Sequence, residues 1–160
     1  MDYLSQVPLT MATTKAGLTN GTTTTYTTAN TVQYSIKGKA YSKTAVTNGA
    51  TPTTDATTGA AYNGVTANNG CVFVFGFDSS GAIKVSQGGI QALDVSGNFI
   101  VSPQFPAIPD TVCPFGYLVF KGASNLSGTW TFGSSNLSSV TGATYTFVDI
   151  QTLPDRPQVS

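Results

Sequence analysis

The chain has 160 residues, of which only 9% are charged, and its formal net charge is zero. It contains no histidine, no glutamate and a single arginine, Arg156. The groups that most acid–base catalysis, metal ligation and phosphate binding require are therefore almost absent. Hydrophobic residues make up 40%, which is enough to form a core. The composition predicts a folded protein that acts through its surface, with no catalytic residues, metal or other cofactor.

Residues 1–30 are rich in Thr, Asn, Gly and Ala, and six threonines surround Tyr26 in the run 22–28. Threonine favours extended backbone because its side chain is stiff at χ1. Apolar residues are sparse and no helical period is present, so we predict an extended Thr-rich arm with little core of its own. The start of the chain has neither the basic nor the apolar region of a signal peptide, and the longest apolar run is too short to span a membrane.

Residues 31–43 alternate apolar and polar side chains and predict a strand. Lys37, Lys39 and Lys43 would line one side of it, where lysines on an edge strand deter unwanted pairing. The alternative is an electrostatic contact with an acidic protein surface. Nucleic-acid binding is not expected, because it requires more cations on one face. Residues 44–69 then form a stretch longer than an ordinary loop.

From residue 70 the pattern is densely β-like, with strands predicted at 71–77, 82–86, 90–95 and 99–101. Two turns in this stretch share the sequence Asp-x-Ser-Gly and begin at Asp78 and Asp94. Asp at the first turn position and Gly at the last are common in hairpins. The second turn faintly resembles a calcium loop, but it lacks a second acid and a closing Glu, so a hairpin is favoured.

Prolines 103, 106 and 109 divide the next segment, which therefore cannot be a central strand. Phe105 and Ile108 in it are expected to pack into the core or against a neighbour. Strands are predicted at 115–121, 128–133 and 143–150, and an extended Pro-rich tail at 153–160. No segment has a helical pattern.

These elements predict an all-β fold, either an antiparallel β-sandwich or a jelly-roll-like barrel, with an extended N-terminal arm. The domain boundaries follow directly. The arm covers 1–30, the β-sandwich domain covers 31–152 with 44–69 as its long loop, and the tail covers 153–160.

Two further features leave alternatives open. Cys71 and Cys113 are too few for a zinc site and are expected to be buried free thiols, although one disulfide is possible. Aromatic residues alternate along the last two strands, where cross-strand core contacts are favoured over an exposed carbohydrate platform. These aromatic residues are Trp130, Phe132, Tyr145 and Phe147.

Several segments together resemble small structural proteins of tailed bacteriophages, which are encoded among the head genes and thought to be capsid decoration, cement or head-fibre proteins. The resemblance covers roughly residues 31–158 and is one of overall pattern. The segments that carry it are Tyr34-Ser-Ile-Lys-Gly-Lys-Ala-Tyr41, Ala50-Thr-Pro-Thr-Thr-Asp55, Pro103-Gln-Phe-Pro-Ala-Ile-Pro109, Gly128-Thr-Trp-Thr-Phe-Gly-Ser-Ser-Asn136 and Leu153-Pro-Asp-Arg-Pro157.

The resemblance implies a non-enzymatic virion structural protein that binds the outer surface of a phage capsid and cements neighbouring capsomers. The implied partner is the major capsid protein, the implied assembly a homotrimer, and the implied location the capsid exterior, with the host cytoplasm during assembly. Neither nucleic acid nor a membrane is implied as a partner. A receptor- or glycan-binding fibre module and a tail component are the alternatives. The candidate capsid or subunit contacts are Thr22, Thr24, Tyr26, Lys37, Lys39, Phe105, Ile108 and Arg156.

Overall fold

A computed structural model describes residues 9–159, which form eleven β-strands and no helix. The strands make three antiparallel sheets, none of which closes into a barrel. The predicted all-β sandwich is confirmed, and the barrel alternative is wrong. The strands are β1 Met11–Ala12, β2 Leu18–Asn20, β3 Thr25–Thr28, β4 Val32–Ile36, β5 Lys39–Lys43, β6 Val46–Ala50, β7 Asn69–Asp78, β8 Ile83–Gln87, β9 Gln91–Ala92, β10 Val112–Gly122 and β11 Ala143–Asp149.

The centre of the fold is a sheet of five strands built around the antiparallel pair β7 and β10. Its order is β11-β10-β7-β8, and β9 pairs with the Asn69 end of β7. Residues 70–77 are all buried, as are residues 112–120. Since successive side chains of a strand point to opposite faces, both faces of this sheet must be covered.

The first face is covered by two three-stranded sheets, with orders β1-β4-β5 and β2-β3-β6. Phe73, Phe75 and Phe77 of β7 project into this core. The ring centroid of Trp130 lies 3.9 Å from that of Phe120, nearly parallel to it. Full burial of a large apolar side chain contributes about 1.5–3 kcal/mol, so this aromatic cluster is the main stabilising unit of the fold.

The second face is covered by irregular chain instead of a sheet. Val72, Val74, Tyr117 and Val119 form a separate cluster, against which the Pro-rich segment and the tail pack. The ring of Phe105 lies 5.0 Å from that of Tyr117. Segments interrupted by proline cannot extend a sheet, but they can lie across one. The covering side chains are Phe99, Phe105, Ile108, Val148, Ile150, Leu153 and Val159.

The predicted single strand at 31–43 is instead a hairpin of β4 and β5. Lys37 and Gly38 connect the two strands and have φ values of 49° and 80°. Positive φ at both central residues is the mark of a type I′ turn, whose twist matches that of the flanking strands. Gly38 therefore takes part in a reversal of the chain within the predicted strand.

The predicted extended arm is wrong for residues 9–30, which are folded into the domain as β1, β2 and β3. Leu18 and Tyr26 are buried in the main core, and only 3% of Tyr26 is exposed. Ala12 and Ala16 are buried with them, so a sparse apolar pattern suffices to anchor the segment. The part of the predicted arm at residues 1–8, like residue 160 of the tail, lies outside the described residues.

The segment 44–69 also has more structure than a loop, because it contains β6 and buries Tyr62 and Val65. Conversely, two predicted strands are reduced to isolated bridges, at Phe99 and at Trp130. Glycines at positive φ interrupt both, at Gly97 before Phe99 and at Gly128 and Gly133 on either side of Trp130.

A variant that lacks residues 1–30 is expected to lose cooperative folding. It would remove Leu18 and Tyr26 from the core, each contributing about 1.5–3 kcal/mol, together with the strands β1, β2 and β3, from a total stability of about 5–15 kcal/mol. Urea unfolding followed by Trp130 fluorescence measures the effect. A Thr22→Ala variant, which changes an exposed residue of the same segment, is the control and should unfold near the wild-type midpoint. Equal midpoints for the two variants would contradict the observed packing of residues 9–30.

Candidate contact surfaces

The carboxylates of Asp78 and Asp94 organise the two predicted hairpin turns. Asp78 Oδ1 accepts N–H bonds from Ser80 at 2.9 Å and Ala82 at 3.0 Å. Asp94 Oδ1 accepts the equivalent bond from Asn98 at 2.9 Å, which lowers the pKa of that carboxyl. The hairpin interpretation of the Asp-x-Ser-Gly repeat is confirmed.

Asp55 is the third carboxylate with a structural role, and it lies in the long segment after β6. Its side chain is buried, with the residue 6% exposed, and accepts N–H bonds from Thr57 at 2.8 Å, Thr58 at 2.9 Å and Gln87 at 2.6 Å. The bond to Gln87 ties this segment to β8. The Asp55 carboxylate therefore links the segment after β6 to β8 by hydrogen bonds.

The two cysteines are buried free thiols, as predicted. Cys113 lies opposite Phe77, six residues along β7 from Cys71, which is a separation of roughly 20 Å at about 3.3 Å per residue. A disulfide requires Cα atoms within about 7 Å, so this fold excludes a bond between the two. Burial raises the pKa of Cys71 to about 12 and that of Cys113 to about 11.

Residues 9–159 contain no group of three or more His, Cys, Asp or Glu side chains placed to hold a metal ion. Within the same range, no helix is long and apolar enough to cross a membrane. Two exposed surfaces of these residues are chemically distinct.

The first surface, here called the cationic end, lies where the β4–β5 hairpin meets the Asp78 turn. Lys37 Nζ is 2.7 Å from Asp110 Oδ2, and the side chain of Lys43 lies beside Gly81 in the Asp78 turn. This end collects four of the seven basic residues of the chain. They are Lys37, Lys39, Lys43 and Lys84.

Two lysines of the cationic end remain available to a partner. Lys37 pairs with Asp110, and Lys84 Nζ lies 3.8 Å from Asp78 Oδ2. Lys39 and Lys43 form no ion pair within the described range, and Lys39 Nζ lies 5.6 Å from the centre of the Tyr41 ring. Both are on β5, an edge strand of its sheet, where lysine prevents strand addition.

The second surface, here called the apolar ribbon, is the segment 90–101 between β8 and the Pro-rich stretch. It holds four of the five large hydrophobic residues that are exposed in residues 9–159. Val95 at its tip is fully exposed, at 107%, while Ile100 and Val101 are 66% and 60% exposed. Ile90 is the fourth. Such a concentration of exposed apolar side chains is typical of an interaction site.

A recess of about 300 Å³ lies beside the tip of the apolar ribbon. Leu93, which is buried, lines it together with the 94–97 turn. Gly122, Ala123 and Ser124 form another part of its wall. Ala123 and Ser124 are exposed and have small side chains, so the recess stays open next to Val95.

The two surfaces lie at opposite ends of β7. The apolar ribbon is joined to the Asn69 end through β9, and the cationic end surrounds Asp78. Nine residue steps at about 3.3 Å each separate these ends by roughly 30 Å. The central sheet between them is buried on both faces, so this separation is fixed.

The structure disperses most of the predicted contact residues. Lys37 and Lys39 are brought together at the cationic end, while Thr22 and Arg156 are exposed elsewhere. Tyr26 is wrong as a contact, because it is buried in the main core.

The other predicted contacts are partly buried. Thr24 is half-buried, and its carbonyl accepts a hydrogen bond from the Thr51 hydroxyl. Phe105 and Ile108 are half-buried over the second face, so they plug a core, as one of the two predicted outcomes. The sequence analysis missed the apolar ribbon. Its signal was apolar residues such as Val95 inside a turn, where burial in a strand cannot explain them.

The aromatic residues of the last strands belong to the core, as favoured. Trp130 and Phe132 are buried, and Trp130 Nε1 donates a hydrogen bond to the Asn136 carbonyl at 2.8 Å. Tyr145 is half-exposed, but its ring packs edge-on against Phe120. The alternative, a carbohydrate platform of exposed rings, is therefore not formed by these residues.

Comparisons with family models, with curated proteins and with solved structures find no match to this chain. The class that fold and surfaces define is therefore broad. It is an all-β protein with two distinct exposed surfaces on one rigid sheet.

Replacing Asp55 by alanine should lower the free energy of unfolding by about 3 kcal/mol, because three N–H groups lose a charged, buried acceptor. Chemical denaturation measures the change. Asp94→Ala is the control, since its turn is exposed and water can replace the carboxylate; its effect should be smaller. Equal losses of unfolding free energy in the two variants would contradict the structural role of Asp55.

The thiols should not react with a maleimide near neutral pH in the native protein, and both should react after unfolding. Burial raises their folded pKa values above the ordinary 9.0. The unfolded state therefore ionises first, and stability should fall as pH rises from about 9 towards 12. Mass spectrometry counts the labels, and denaturation at increasing pH measures stability. Rapid native labelling, or stability that is constant across this pH range, would contradict the burial of the thiols.

Proposed function

We propose that this protein is a non-enzymatic virion structural protein that binds the outer surface of a phage capsid and cements neighbouring capsomers. Its partner is the major capsid protein, and it acts as a homotrimer. It resides on the capsid exterior and passes through the host cytoplasm during assembly.

The observation that carries this proposal is the placement of two unlike surfaces roughly 30 Å apart on one rigid sheet. A protein that cements must hold two contacts at a fixed distance, so that a displacement of one partner is resisted by the other. The central pair β7 and β10 connects the two surfaces and is buried on both faces. Close-packed interiors of this kind deform little and transmit strain.

The roles of the ionisable residues also support a structural protein. Asp55, Asp78 and Asp94 are occupied by bonds to backbone N–H groups. Both thiols are buried, with their pKa values raised far above neutral pH. These side chains maintain the fold, and none is poised as an acid, base or nucleophile.

The cationic end is the proposed contact with the capsid. Lys39 and Lys43 project from an edge strand and are not committed to an ion pair within the described residues, so they fit acidic side chains on the coat protein. Complementary charges of this kind accelerate encounter and fix orientation. A protein that binds folded coat protein, and not unfolded coat protein, stabilises the shell by mass action.

In the proposed function, residues 9–30 do not contact the capsid as a free arm. Residues 9–30 are strands of the domain, and Tyr26 is part of its core. A search for capsid contacts should therefore begin at the lysines of β5.

Replacing Lys39 and Lys43 together by glutamine should weaken binding to expanded empty phage capsids about fivefold, because exposed charge pairs contribute about 0.2–1 kcal/mol each. Wild-type binding should weaken as salt is raised, and the variant should show a smaller dependence. Co-sedimentation with the capsids measures the bound fraction.

The control replaces Lys15 by glutamine, which removes a positive charge from the surface outside the cationic end. Its affinity should stay within a factor of two of wild type, a limit chosen as about 0.4 kcal/mol. Equal losses in the two variants would show that only net charge matters. Wild-type protein that does not bind capsids would refute the proposed function.

A further inference from the structure

We propose that the apolar ribbon is the surface through which copies of this chain associate, with Val95 of one copy inserted into the recess of the next. This inference deepens the homotrimer of the proposed function by naming its interface. The occupant of the recess is a second copy of this chain.

The knob of the proposed contact is held rigidly. Val95 follows Asp94 in a turn where Gly97 N–H donates to the Asp94 carbonyl at 3.0 Å. The Asp94 carboxylate accepts a further bond from Ser96 N–H at 2.8 Å. A side chain that is already fixed in its exposed position loses little conformational entropy on binding.

The recess offers a matching hole directly beside the knob. Its volume of about 300 Å³ is large compared with about 30 Å³ for one water in the liquid. Leu93 supplies an apolar surface, and the small side chains of Ala123 and Ser124 leave room for a branched side chain. Val95 therefore finds apolar contact here that it lacks in the single chain.

The charges near the ribbon are self-complementary. Residues 90–101 carry one charge, on Asp94, and Lys121 lies nearby with its Nζ 5.4 Å from the centre of the Phe99 ring. Neither Asp94 nor Lys121 forms an ion pair within residues 9–159. Each copy thus offers one anion and one cation, and a second copy supplies both counterparts. A net charge of zero adds no overall repulsion.

The knob and the recess adjoin on each copy, because Val95 and its turn line one side of the recess and residues 122–124 line another. An inserted Val95 therefore also contacts the Val95 of the copy that receives it. Apolar centres with few charges are typical of interfaces between identical subunits. The cationic end, at the other end of β7, stays free for the coat protein.

The test is the mass of the full-length protein by light scattering. Wild type should be a multiple of the 16.5 kDa chain, and Val95→Asp should reduce the mass to that of one chain. Ala123→Trp should do the same by filling the recess while Val95 is intact. The control is Leu9→Asp, which changes the exposed large apolar residue outside the ribbon and should leave the oligomer intact.

Cross-linking identifies the contact directly. Mixing a Val95→Cys variant with a Ser124→Cys variant under mild oxidation should give a disulfide between the two chains. A Leu9→Cys variant mixed with Ser124→Cys should not. The native Cys71 and Cys113 are buried and do not interfere. A monomeric wild type, or an oligomer that survives both Val95→Asp and Ala123→Trp, would overturn the inference.

The failure of this inference can be distinguished from that of the proposed function. Wild-type protein that is monomeric but binds capsids through Lys39 and Lys43 would overturn the ribbon contact alone. Protein that associates through the ribbon but ignores capsids would support the ribbon contact and refute the capsid assignment.

Discussion

The antiparallel pairing of β7 with β10 is the interaction on which the rest of the structure depends. The two strands pair along ten residues, and each is apolar on both faces. A sheet of this kind is stable only if water is excluded from both sides. The two small sheets cover one side, and the Pro-rich segment and tail cover the other, so this requirement places the outer sheets, the Pro-rich segment and the tail.

The few charged residues of the chain are also used mainly to maintain its fold. Backbone N–H groups in the turns and in the segment after β6 need acceptors, and Asp55, Asp78 and Asp94 supply them. Few charged groups remain for other purposes, which makes the pair Lys39 and Lys43 stand out at one end. At the other end, exposed valine and isoleucine have no fold-based explanation. The two surfaces stand out because their lysines and apolar side chains are not needed to maintain the fold.

Much of the fold could be predicted from periodicity and turn chemistry, because these are local. The continuous apolar run at 71–77 predicted a buried strand, and both Asp-x-Ser-Gly turns were recognised. The arm was mispredicted because Leu18 and Tyr26 are isolated in a threonine-rich sequence, and their burial depends on a partner sheet distant along the chain. The hairpin at Lys37 was missed because Lys-Gly is a weak turn signal.

The contact surfaces could be predicted only in part. The lysines share a strand, whereas the recess beside Val95 forms from segments nearly thirty residues apart.

The covering of the second face has a consequence for how the protein is made. The Gln158 backbone N–H donates to the Tyr117 hydroxyl at 2.8 Å, and Leu153 and Val159 lie over the cluster that contains Tyr117. During synthesis, Phe99, Phe105 and Ile108 leave the ribosome between β7 and β10, and only the part of the cover supplied by residues 148–159 emerges after both strands. In that interval part of an apolar sheet face is open to solvent, and nascent chains on one messenger are exposed to each other. The nascent chain should depend on chaperones until residues 150–159 have emerged and closed this face.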